Sequence, residues 1–225
     1  MSFDSLFDRA ARHDADVETV TAALADRRAE PDETDEPPAT DGSEENSDPP
    51  AGASRPDGRD PSPARVVADA DVLAADLLVG GAAREALDAL RSHSWTTLVA
   101  SDQLLDDAES VIATVADADL AADWRAAVEP WHDPVAHPAG DHPALASAYR
   151  GGAMQVVSLD PSLTGPTAAV GLRDRIPVSV REPRAFAAVF SPERLYPEAV
   201  GGEYPGPDRD PRSMNRSNPD TDQHR

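Results

Sequence analysis

The chain has no lysine and no cysteine, and only 4% of its residues are aromatic. Without cysteine, disulfides, thiolate metal sites and cysteine nucleophiles are excluded. Without lysine there is no Gly-x-x-x-x-Gly-Lys, so a nucleotide-binding P-loop is excluded too. No apolar run approaches the ~20 residues that cross a bilayer. The first residues, MSFDSLFDRAARHDAD, have no basic start and no continuous apolar stretch, so no signal peptide is expected. These absences predict a soluble, cytoplasmic protein with no membrane partner.

Acid is abundant. The formal net charge is -22, with 29 aspartates and 13 glutamates against 20 arginines. An aspartate-rich, lysine-free surface is the composition of a halophilic protein, soluble in multimolar salt. At about 1 M salt the Debye length is about 3 Å, so self-repulsion is screened. The same screening means that the acidic charge does not by itself exclude a nucleic-acid partner.

Composition divides the chain into four parts. Residues 1–29 read as an amphipathic helical arm, with Phe3, Leu6, Phe7 and Ala10 at i, i+3, i+4, i+7 and with Val17, Val20 and Leu24 repeating the pattern. Periodicity does not say whether the arm covers its own domain or a protein partner. Residues 30–64, dense in Pro, Asp, Glu, Gly and Ser, read as a disordered linker. Residues 65–190 alternate apolar strands with helices. Strands are expected at Arg65–Ala68, Trp95–Ala100, Met154–Leu159 and Pro177–Val180. Helices are expected over Val72–Ser92 (broken at Gly80–Gly81), from Ser101 to Val115, and over Asp117–Val128, Pro143–Arg150, Pro166–Leu172 and Pro183–Phe190. Trp131–Asp141, with two prolines, reads as a loop. Strands separated by helices imply an α/β fold, a three-layer α/β/α arrangement with a mostly parallel central sheet. Residues 191–225 read as a largely disordered tail.

Within that frame RVVADADVL (Arg65–Leu73) stands out. Asp69 and Asp71 arrive where the first strand should end, and open α/β sheets bind ligands at the carboxyl ends of their strands. Asp71 also suits a helix N-cap. Further acids are Asp106 and Asp107 on the helix after strand two, Asp141 opening the helix before strand three, and Asp160 after strand three. Each alone has an ordinary reading as a cap, turn or solvated helix face. Together they could converge at one sheet edge, where a divalent cation would relieve their repulsion, and oxygen-only ligands favour Mg²⁺ or Mn²⁺.

These stretches resemble the PIN domains, metal-dependent nucleases of α/β/α fold. VVADADVL is similar to the first motif and gives Asp69. SDQLLDDAE is similar to the second and gives Asp107, with Asp106 the neighbouring choice. DHPALASAYRGGAMQVVSLD is similar to the third and gives Asp141. Ser158-Leu159-Asp160 matches the fourth, and VSVREPRAF looks like the family's last strand and helix. The resemblance covers about residues 65–190. It implies a ribonuclease whose Asp69, Asp107, Asp141 and Asp160 hold one or two Mg²⁺ or Mn²⁺ ions that activate water for attack on RNA, with Ser158 orienting a ligand. The chain departs from the family in having Asp rather than Glu as second acid, in Asp71, and in a Pro/His-rich loop. A homodimer is compatible with the resemblance.

Arg173, Arg175, Arg181 and Arg184 form the basic cluster that could meet phosphates, and they equally suit ordinary surface pairing. Another class of function is a PIN-like module that no longer cuts and binds a partner through its arm. A haloacid dehalogenase-type phosphatase shares the Asp-x-Asp start and the LVAS stretch (Leu98–Ser101), but that family needs a lysine that this chain lacks. His132, His137 and His142 could ligate zinc, yet their five-residue spacing matches no rigid ligand pattern.

Overall fold

Five parallel strands, in the order β3-β2-β1-β4-β5, form the central layer of a three-layer α/β/α fold. They are β1 (Ser62–Ala68), β2 (Thr97–Ser101), β3 (His132–Val135), β4 (Ala153–Val157) and β5 (Ser179–Arg181). The computed structural model describes residues 2–29, 59–138, 140–165 and 178–214. The helices among them are α1 (Phe3–Ala10), α2 (Val17–Ala29), α3 (Ala70–Leu78), α4 (Gly81–Arg91), α5 (Asp102–Val115), α6 (Ala118–Val128), α7 (Pro143–Gly151), α8 (Pro161–Thr164), α9 (Pro183–Val189) and α10 (Pro192–Ala199).

The central strands are short apolar runs because helices cover both faces, so alternation is lost. Val66, Val67 and Ala68 of β1, Leu98–Ala100 of β2 and Val156–Val157 of β4 are all buried. Helix starts follow the capping residues that the sequence shows. Ser101 accepts from the Leu104 N–H at the start of α5, and Asp117 does the same for Leu120 at α6, each supplying an oxygen to an orphan N–H. Two glycines set the seat of α7. A Cβ on Gly151 would lie 2.2 Å from Val99 Cγ1, so only glycine lets α7 close on β2. Gly152 follows in the left-handed region (φ +66), and a Cβ there would meet the Asp60 carbonyl oxygen at 2.5 Å. Its own carbonyl receives the Ser62 N–H (2.9 Å), which starts β1.

Three expectations are corrected, and one open alternative is decided. Trp131–Asp141 is not all loop, since His132–Val135 is β3, paired with Leu98–Ser101. Its proline is tolerated because β3 is the sheet edge, where a missing N–H costs no ladder bond. The linker stops short of Ala64, because β1 already runs from Ser62; residues 30–58 lie outside the described residues. Residues 191–214 of the expected disordered tail are ordered. Helix α10 and the segment after it meet an aromatic cluster of His93, Trp95, Phe190, Tyr196 and Tyr204. Asp208 then accepts the Ser94 N–H at 2.7 Å. Aromatics so far apart in sequence leave no periodic signal. The helical arm, finally, covers its own domain. Phe3, Leu6, Phe7 and Ala10 of α1 and Val20 and Leu24 of α2 are all buried in the common core. The expected helix at Pro166–Leu172 lies outside the described residues.

Candidate functional site

Chain order places a switch point between β1 and β4: β2 and β3 lie on one side of β1, while β4 and β5 lie on the other. Loops leaving adjacent strands diverge there and open a crevice at their carboxyl ends. Asp69 stands at that point. Its N–H donates to the Val157 carbonyl (2.8 Å), and its buried side chain turns out of the strand.

The N-cap is Asp69, not Asp71. Helix α3 begins at Ala70, directly after the strand, and Asp69 Oδ1 accepts the Ala70 N–H at 2.8 Å. Asp69 Oδ2 accepts from the Ser158 hydroxyl (3.0 Å), which itself accepts the Asp160 N–H (3.0 Å). Ser158 therefore fixes the orientation of the Asp69 carboxylate. Asp71, in the first turn of α3, is buried, and its Oδ2 accepts the Leu159 N–H at 3.1 Å. Its Oδ1 is buried with no hydrogen-bond partner among the described residues.

Of the neighbouring acids on α5, Asp107 faces inward and Asp106 outward. Asp107 is buried, while Asp106 is exposed and pairs with Arg125 at 2.8 Å. The ~100° step between successive helical residues separates them. Asp160 caps α8 through the Ser162 N–H (2.7 Å) and is half-buried beside Ser158. Asp141 is exposed. The adjoining residue, His142, is the one that turns into the site: it caps α7, directly before Pro143. Proline at N1 marks the preceding residue as the cap, so the sequence held that signal one position along.

The group that joins these residues was not expected. Arg28, in the last turn of α2, donates from Nη2 to Asp69 Oδ1 at 2.8 Å and from Nε to Asp107 Oδ2 at 3.2 Å, and its Nη1 lies 3.2 Å from His142 Nε2. Arg27 Nε adds a longer contact, 4.0 Å from Asp107 Oδ1. Gln103 Nε2 donates to the same Asp107 oxygen at 3.1 Å. In the sequence, Arg27–Arg28 reads only as a basic helix end, favourable to the dipole. Nothing local says that it reaches two acids.

Burial opposes the charge on Arg28, but Asp69 and then Asp107 outweigh it, so its pKa is raised. Burial, and next the charge of Asp69, hold the Asp71 carboxyl well above its ordinary value. Burial lowers the His142 imidazole, against the opposing charge of Asp69. For Asp71 the sign of the linkage is definite. The folded chain keeps a proton that the unfolded chain has released, so this group's contribution to stability is full below the unfolded pKa and lost as pH rises through the folded one. Asp71→Asn keeps an acceptor for Leu159 and removes the ionisation. In urea melts with chelator present, it is expected to gain on the parent as pH rises from acid to neutral; a gap that stays constant with pH would contradict this account.

Other candidates lie apart. Arg173 and Arg175 fall outside the described residues. Arg181 hydrogen-bonds Gln155 between neighbouring strands, and Arg184 is exposed on α9. His132 Nδ1 lies 3.1 Å from the Glu129 carbonyl, so it is engaged at the start of β3 and not at the acids. Among the described residues, no three histidine or acidic side chains stand close enough to hold a metal as they are.

The donor chemistry nonetheless suits a hard divalent cation. Asp69, Asp71 and Asp107 are buried, Asp160 adjoins them, Asp71 Oδ1 is unpartnered among the described residues, and Arg28 offers them a single charge. Carboxylate oxygens in such a setting favour Mg²⁺ or Mn²⁺. Beside them a cavity of 340 Å³ is lined by α2, Asp71 and Leu159–Pro161.

The fold and site thus define a parallel α/β/α domain with a buried acidic centre at its switch point. A family model described as a family of unknown function (DUF7384) matches residues 60–212, and the chain belongs to that family. The match takes in Asp69, Asp107, His142 and Asp160 and begins after Arg28. No curated protein and no solved structure matches the chain.

Proposed function

We propose that this centre belongs to a PIN-like nuclease that uses Mg²⁺ or Mn²⁺ to hydrolyse RNA phosphodiester bonds. The observation that supports the reading is the convergence of Asp69, from the end of β1, and Asp107, from α5, on one half-buried cation at the switch point. Asp69 and Asp107 would hold the metal, with Asp160 and Asp71 beside them. Ser158 locks Asp69 Oδ2 in place, which spares that carboxylate reorganisation when charge develops. A bound divalent ion supplies a water of lowered pKa and stabilises charge on the phosphate. His142, rather than the exposed Asp141, is the third side chain at this centre.

The test is cleavage of end-labelled single-stranded RNA in multimolar KCl with Mn²⁺. Asp69→Asn is expected to lower the rate by at least about 10–100-fold, the range for losing even an outer-shell partner of a metal. Cleavage that is unchanged in Asp69→Asn, or that persists in chelator, would overturn the assignment. A second reading, a domain that binds without cutting, draws support from the Arg28 pairing, which satisfies two of the carboxylates without any metal. Calorimetry separates the two, since a purely structural centre takes up no Mn²⁺ whether or not Arg28 is present.

A further inference from the structure

Three nitrogens of one guanidinium each face a different side chain in this site. Arg28 Nη2 meets Asp69 Oδ1 (2.8 Å), Nε meets Asp107 Oδ2 (3.2 Å), and Nη1 meets His142 Nε2 (3.2 Å). The three partners come from the β1–α3 junction, from α5 and from the cap of α7. All three atoms are of types that also ligate divalent metals, His142 Nε2 once the proton moves to Nδ1 and the Ala144 cap bond is given up. We propose that Asp69, Asp107 and His142 form a single cation site for which the Arg28 guanidinium and a divalent metal ion compete, so that the arm carrying Arg28 keeps the site shut until metal displaces it. The proposal rests on the metal-centre reading above and adds its regulation.

Placement of Arg28 supports competition rather than permanent closure. The arm is anchored by the buried Val20 and Leu24, and Arg28 lies a full turn beyond Leu24. The last turn of α2 can therefore move while both anchors stay seated. The Arg28 side chain keeps 23% of its surface exposed, so the site is covered but not sealed. Charge favours exchange, since the two buried carboxylates share the Arg28 charge, with Arg27 farther off at 4.0 Å from Asp107, while a divalent ion brings two charges between them. As they stand, no three acidic or histidine side chains among the described residues are close enough to chelate, so metal binding requires Asp69, Asp107 and His142 to draw together in the place that Arg28 vacates. A competing occupant lowers apparent affinity by the fraction of molecules with an open site.

The experiment combines Mn²⁺ calorimetry on the full chain in multimolar KCl with hydrogen exchange of residues 24–29 in the unmodified protein. Arg28→Gln is expected to bind Mn²⁺ at least about tenfold more tightly than the parent, or roughly 1.4 kcal/mol. Saturating Mn²⁺ is expected to speed amide exchange at residues 24–29 of the parent and to leave α5 unchanged. The proposal stands only if both hold. Equal Mn²⁺ affinity in the parent and Arg28→Gln, or exchange unaltered by Mn²⁺, overturns the competition while leaving the metal centre in place. No Mn²⁺ binding by either protein overturns the metal centre itself, and the competition with it. Should Arg28→Gln fail to fold, the exchange measurement on the parent decides alone. His142→Asn in the Arg28→Gln background keeps a good N-cap residue and loses the imidazole. Its affinity is expected to fall, and an unchanged value removes His142 from the site and overturns its three-sided form.

Discussion

Arg91→Ala is expected to cost about 3–5 kcal/mol, the range for breaking a buried ion pair by removing one partner. Arg91 ends α4 with no solvent exposure, and its Nη1 and Nη2 grip the two Asp76 oxygens at 2.7 and 2.8 Å. Nη2 also reaches Asp88 at 2.8 Å, and the guanidinium lies 4.7 Å from the Phe3 ring centre and 5.4 Å from that of Trp131. Truncation leaves the Asp76 carboxylate, itself 2% exposed, without its bidentate partner. High salt should not rescue it, because buried pairs are screened far less than exposed ones. Urea denaturation at low and at multimolar KCl checks this: the loss should be nearly the same in both. By contrast, Arg125 pairs with Asp102 and Asp106, whose side chains are 81% and 55% exposed, and contributes little. Replacing Arg91 and Asp76 together by apolar residues of similar volume should recover most of the loss, because no buried charge is then orphaned.

Phe7→Ala is expected to cost about 3–5 kcal/mol, as other buried phenylalanine truncations do. Phe7 is 5% exposed and packs 6.1 Å from the Phe3 ring. Three guanidinium groups surround its ring, Arg84 at 3.8 Å, Arg212 at 5.0 Å and Arg91 at 5.5 Å. In a chain that has arginine but no lysine, the ring is a common seat for cations from α4 and from the C-terminal segment. Burial, Arg212 and Arg91 all push the Arg84 pKa down, which shows how closely these charges crowd. Phe7→Leu keeps most of the apolar burial and loses the ring face, so it should cost less than the full truncation, on the order of 0.5–1 kcal/mol for the lost contact with Arg84, the nearest cation. Thermal melts of the three proteins rank parent, Phe7→Leu and Phe7→Ala in that order. A Phe7→Ala protein as stable as the parent would mean that the arm does not belong to the folding unit.

That membership bears on the site. Phe7 and Leu24 anchor the same arm that carries Arg28, so loosening the arm should also open the acidic centre. The core and the centre are coupled through one helical hairpin. Within the family match, residues 60–212 supply the acids and the histidine, and the arm supplies the cation from outside it.

Much of this was written locally. The valine runs of β1 and β4, the caps Ser101 and Asp117, the break at Gly80–Gly81 and the stop at Gly151–Gly152 each depend on a few neighbouring residues, and each element formed where such signals stood. The acids Asp69 and Asp160 could be placed at strand ends for the same reason, and Asp107 was separable from Asp106 by its motif. Local signals misjudged the junctions. The helix after β1 starts two residues earlier than an Asp71 cap would require, and the cap of α7 is His142 rather than Asp141. In both cases a one- or two-residue shift moves a side chain from solvent into the site, and the sequence pattern is too coarse to fix that step.

By itself, then, the sequence determined the α/β alternation, the absence of thiol and P-loop chemistry, and an acid at the end of the first strand. Only the tertiary structure decided what meets that acid. Arg28 lies 41 residues before Asp69 and 79 before Asp107, and residues so far apart leave no periodicity or spacing to read. They come together because α2 buries Val20 and Leu24 in the core that also holds β1, α3 and α5. The hydrophobic burial of the arm places the charge, and the charge occupies the site.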